Sequence, residues 1–117
     1  MIVELGRLSI YKKVIKNSSC LILVFLDKEK SYEYKKDILA IGACIQNILL
    51  AACSQGIASC WNGDILRNAD KVNEILNISP NCELMSMIVL GYEDLDKTKY
   101  IEKVKRDNVD EKIDIWV

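Results

Sequence analysis

The stretch Asp37–Gly63 reads DILAIGACIQNILLAACSQGIASCWNG and contains no charged residue after Asp37. Within it Ile38, Ile41, Ile45, Ile48, Leu49 and Ala52 recur at helical spacing, which predicts a helix from an Asp37 N-cap through Cys53. Gly56 fits the position just past the helix end, where a left-handed backbone suits glycine alone. A segment so apolar also raises the question of a membrane span. Asp37 to Cys53 falls short of the roughly 20 residues a bilayer requires, so a buried core or dimer-interface helix is expected, and no membrane contact. The residues from Gly56 to Gly63 read as a loop.

Outward from this helix, Cys20–Leu26 (CLILVFL) is an unbroken apolar run closed by Asp27, and Leu84–Leu90 (LMSMIVL) repeats the theme and ends at Gly91. Such runs predict central strands covered on both faces, with helices above and below. A shorter helix is expected from Asn68 or Asp70, turning Val72, Ile75 and Leu76 inward, before Pro80 marks the connection to the second strand. Ile2–Lys16 is weakly helical. Lys112–Val117 (KIDIWV) alternates with period two and reads as an edge or exchanged strand. The expected architecture is α+β, a mixed sheet flanked by helices with one dominant buried helix, in a single domain spanning residues 1–117.

Half the residues are apolar and 28% are charged, the balance of a soluble globular domain. Lys and Arg number 16 against 17 Asp and Glu, so a net charge of -1 gives no global field for nucleic acid or an anionic membrane. No signal-peptide core interrupts Met1–Lys13, and a cytoplasmic protein is expected. Cys20, Cys44, Cys53, Cys60 and Cys82 form no C-x-x-C pair, which argues against disulfides and zinc and predicts small core residues. Histidine is absent, which excludes Ser-His-Asp and Cys-His catalysis and the H-E-x-x-H metal site within this chain. An enzyme built from these residues would take its chemistry from a cofactor.

Gln46-Asn47-Ile48-Leu49-Leu50-Ala51-Ala52 followed by Gly56-Ile57-Ala58-Ser59-Cys60-Trp61-Asn62-Gly63 resembles the flavin-dependent nitroreductase family, whose Q-N helix leads into G-L-G-S-x-W-x-G. Ile88-Val89-Leu90-Gly91-Tyr92 is similar to that family's strand ending in Gly-Tyr, and Lys105-Arg106 to its C-terminal basic pair. The agreement runs from about Leu21 to Val117. The resemblance implies a homodimer that holds FMN at the subunit interface and passes electrons from NAD(P)H to nitroaromatics, quinones or similar small-molecule acceptors. It assigns Gly56, Ile57, Ala58 and Ser59 to the flavin ring and Lys105 and Arg106 to its phosphate, where a guanidinium can pair bidentately. No residue is assigned as catalytic, Cys60 and Trp61 included, and no metal site is expected.

Two departures shape the expectation. Ala58 stands where the family has its second glycine, which predicts strain if the backbone there needs a positive φ. Met1–Cys20 lacks the family's R-x-S-x-R and P-S-x-x-N-type segments, so the fold is expected to be truncated at the N-terminus and its flavin site incomplete. The rival to the enzyme is a non-catalytic dimerising or binding remnant of the same fold.

Overall fold

The computed structural model describes residues 1–94 and 107–112. The chain begins with two short helices, α1 (Ile2–Gly6) and α2 (Lys12–Lys16), then enters strand β1 (Cys20–Asp27). Helix α3 (Tyr34–Ser54), strand β2 (Ala58–Asn62), a 3-10 helix over Asp64–Asn68, helix α4 (Ala69–Leu76) and strand β3 (Cys82–Gly91) follow. A last 3-10 turn covers Val109–Lys112, and the strand expected over Lys112–Val117 otherwise lies outside the described residues.

The sheet has the order β1-β3-β2, and both pairings are antiparallel, so among the described residues it is antiparallel where a mixed sheet was expected. Among the described strands no βαβ crossover joins parallel neighbours, and β3 inserts between β1 and β2. Register slips between Val24 and Phe25, leaving Met85 without a partner. This bulge shifts the alternation of β3 by one residue, so Leu84 on one side of it and Met87 and Val89 on the other reach the same core.

That core closes one face of the sheet. Leu5 of α1, Ile15 of α2, Ile65 of the 3-10 helix and Val72 of α4 pack with Leu84, Met87 and Val89, backed by Leu21, Leu23 and Phe25 of β1. The cross-strand pairs Leu21 with Val89 and Leu23 with Met87 explain why those β1 residues share this face.

Helix α3 crosses the opposite face and begins earlier than its apolar pattern suggests. The Glu33 carboxylate accepts from the Lys35 N–H at 3.2 Å, making Glu33 the N-cap. Asp37 sits a turn inside and reaches back, its Oδ2 accepting from Ser31 Oγ at 2.6 Å and from the N–H groups of Tyr32 and Glu33 at 3.1 and 3.3 Å. With 21 residues, α3 is long and apolar enough to cross a membrane, so the length argument made from the sequence fails. Its inner side nevertheless packs on the sheet through Ile45 and Ala52. Those two are its only buried residues among the described ones, and Leu39 and Leu50 are 74% and 58% exposed. The expected buried helix is therefore covered on one side only.

The cysteines also depart from expectation. Cys20, Cys44, Cys53 and Cys60 are exposed and Cys82 is half-buried. The physical reason is position: Cys44 and Cys53 face outward on α3, and Cys60 lies on the short edge strand β2.

Candidate functional site

The corner where α3 gives way to β2 carries four of the residues singled out in the sequence. Gly56 adopts φ +70°, and a Cβ built on it would meet nothing within 4 Å. Its N–H donates to Cys53 O at 3.0 Å, and the Ile57 N–H donates to Ala52 O at 2.9 Å. These paired bonds are the Schellman closure of a helix C-terminus, which satisfies carbonyls the helix leaves open. Two N–H groups that a loop could have aimed at a ligand are thereby committed to the helix. What remains outward at Gly56 is a bare, open backbone surface.

Ile57 is followed directly by strand, so the predicted loop is only the tight turn around Gly56. Ala58 pairs with Gly91 and Ser59 with Leu90. Ala58 thus lies in extended backbone, and Asn77 is the sole non-glycine residue at positive φ among those described. The strain expected at Ala58 does not arise, because a strand residue carries its methyl at no cost.

Beside this corner a cavity of about 250 Å³ opens between α2 and the sheet, lined by Val14, Ala58, Ser59, Cys60, Gly91 and Tyr92 among others. No charged residue lines it among the described residues. The structure brings Gly56, Ile57, Ala58 and Ser59 together, whereas Lys105 and Arg106 lie outside the described residues. Trp61, on the same strand, is 46% exposed and does not anchor the turn from a buried position.

At the other end of β2 stands a polar cluster that sequence reasoning missed. Asp64 Oδ2 accepts from Ser9 Oγ at 3.0 Å and from the Ile10 N–H at 2.9 Å, and Arg67 Nε lies 3.5 Å from Oδ1. Asn62, itself 4% exposed, donates to Ser9 Oγ at 3.4 Å and accepts from the Ile65 N–H at 3.2 Å. Asn68 Nδ2 completes the clamp by donating to Leu8 O at 2.8 Å. The Ile10 N–H, then the Ser9 hydroxyl and the Arg67 charge, hold the Asp64 carboxyl below its ordinary range against a smaller opposing effect of desolvation. Partners about fifty residues apart leave no local signal, so only the folded chain reveals them. Far from this end, the Tyr34 hydroxyl donates to Glu83 at 3.0 Å, and that hydrogen bond, with burial and the Glu83 charge, raises the phenol's pKa.

The sequence profile of the nitroreductase family matches residues 5–92. The chain belongs to the nitroreductase family. For this nitroreductase-family chain the match starts at Leu5, well before the motifs that begin near Leu21, and stops ahead of Lys105 and Arg106. A relative from Archaeoglobus fulgidus, provisionally named an NADH dehydrogenase/NAD(P)H nitroreductase, is 31% identical over 103 residues, covering 86% of this chain and 59% of the relative. A provisionally named nitroreductase from Desulfovibrio desulfuricans, crystallised with FMN, superposes with a TM-score of 0.83 at 27% identity over 97% of this chain and 63% of its own. One from Bacteroides thetaiotaomicron, provisionally named an NADH dehydrogenase/NAD(P)H nitroreductase, gives 0.75 at 26% identity, over 96% and 63%. The chain therefore spans about three fifths of the length of these relatives.

Proposed function

We propose that this chain is an FMN-dependent NAD(P)H oxidoreductase of nitroreductase type, acting as a homodimer in the cytoplasm. The observation that carries the reading is the Gly56 corner: a bare glycine backbone with open space over it, running into the small residues Ala58 and Ser59. A flat isoalloxazine fits such a surface, because no side chain stands up to wedge the ring away. Gly56, Ile57, Ala58 and Ser59 would lie against the ring, and Lys105 and Arg106 would pair with its phosphate. The redox chemistry, hydride taken from NAD(P)H and delivered to a nitroaromatic, quinone or similar small acceptor, is what a bound flavin supplies. The protein's part is to hold the ring plane at the end of α3 and to keep one side of it open to both substrates.

The homodimer reading rests on the outer side of α3. Leu39, Leu50 and the exposed Ala43 and Cys44 between them form a mostly apolar strip, interrupted by the polar Gln46 and Asn47, that a soluble chain rarely leaves bare. A second copy of the helix would cover it and bring another subunit next to the Gly56 corner.

A second reading, a dimerising remnant without catalysis, is favoured by one observation: among the described residues the cavity beside Ala58 and Ser59 offers no cation for a phosphate. Absorption spectroscopy separates the two. Purified protein that takes up FMN at one per chain and then reduces a quinone with NAD(P)H supports the oxidoreductase. Protein that stays colourless after FMN is added, while still eluting as a dimer, supports the remnant.

A further inference from the structure

We propose that the cleft between the α1–α2 turn and the 3-10 helix binds a phosphate-bearing anion through Arg7, Lys12 and Arg67. This cleft, about 480 Å³, lies at the Asn62 end of β2, on the order of 15 Å from the Gly56 corner by strand rise, and is independent of the flavin reading. Among the described residues three cations line it and a single carboxylate, Asp64, opposes them. That carboxylate is already engaged: Ser9 and Ile10 occupy Oδ2, and Arg67 Nε approaches Oδ1. Arg67 keeps its terminal nitrogens, while the side chains of Arg7 and Lys12 have no hydrogen bond or ion pair among the described residues. Glu4, one turn before Arg7, forms no ion pair with it among the described residues.

The surplus is therefore about two positive charges in one concave site, on a chain whose net charge is -1. A phosphate monoester carries the matching charge near neutral pH and accepts several charge-assisted hydrogen bonds at once. The cleft wall is also fixed in advance. The Ser9–Asp64 and Asn68–Leu8 bonds hold the α1–α2 turn against the 3-10 helix, so binding need not order the backbone.

The test is titration of the full chain with inorganic phosphate, followed by amide chemical shifts and by melting temperature, against sodium chloride at equal ionic strength. Shifts confined to Ser9–Lys12 and Asp64–Asn68, with affinity about tenfold weaker in R7A and K12A, support the site. These two side chains hold nothing else in place, so their variants should melt like the parent. Lys35→Ala and Lys36→Ala, on α3, serve as charge controls and should bind phosphate unchanged. Comparing NADP⁺ with NAD⁺ distinguishes the source: preference for NADP⁺ assigns a nucleotide's extra phosphate, and equal weak binding assigns free phosphate. Chloride reproducing the phosphate effect, or R7A and K12A binding as tightly as the parent, would overturn the proposal.

Discussion

The two faces of the sheet are finished differently. On one, Leu5, Ile15, Ile65, Val72, Leu84, Met87 and Val89 meet from four helical segments and a strand, each at most 4% exposed. On the other, α3 buries Ile45 and Ala52 and turns Leu39, Leu50 and two cysteines to solvent. The helix that dominates the sequence is thus the least enclosed large element in the described chain. The contrast teaches that hydrophobicity read along a sequence marks surface that must be covered without saying by what. Short, half-polar helices seal a core here, and the long apolar one is left open on its outer side.

Perturbing each face should sharpen that contrast. The largest loss is expected on the sealed side: Met87→Ala leaves a cavity under α1 and α4 and should cost roughly 3 kcal/mol, read as a lower urea midpoint. An unchanged midpoint would mean the core repacks around the gap. Next comes Gly56→Ala at the α3 terminus. Nothing crowds an added methyl there, so the penalty is the left-handed backbone alone, about 1–2 kcal/mol in chemical denaturation.

On the open side, Leu50→Asp should change the urea midpoint of dilute protein by less than about 0.5 kcal/mol. Light scattering should nevertheless show its mass fall to that of one chain. A dimer that persists in this variant would place the subunit contact elsewhere. The smallest effect is one that acid abolishes. The Asp64 carboxyl has a folded pKa below its unfolded value, so its stabilising contribution is present above the unfolded value of 3.8 and disappears as pH falls through the folded one. Asp64→Asn should therefore melt below the parent at neutral pH and converge with it under strongly acidic conditions.

Much of the frame was legible. The apolar runs at Cys20–Leu26 and Leu84–Leu90 became β1 and β3 because predominantly apolar runs of this length suit a sheet packed from both sides. Gly56 was legible as a helix end because few backbones but glycine's tolerate φ +70°. The stretch after it was misread as loop, since Ala58–Asn62 is short and polar enough to lack a strand pattern, and it is β3 that makes it a strand. The start of α3 was missed by a turn because Glu33 and Asp37 both offer capping carboxylates, and only geometry shows which one caps.

The site divides in the same way. Gly56, Ile57, Ala58 and Ser59 are contiguous, so their gathering at one corner was readable from order alone. The Asp64 clamp and the cation-lined cleft join residues from opposite halves of the chain, and no spacing rule could announce them. The sequence by itself determined the family, the apolar strands and the glycine at the helix end, because these follow from local conformation and burial. Tertiary structure decided which side of α3 is covered, the strand order that turned a loop into β2, and which distant polar groups meet. Those depend on chain reversal in space, which brings together residues that share no neighbourhood in the sequence.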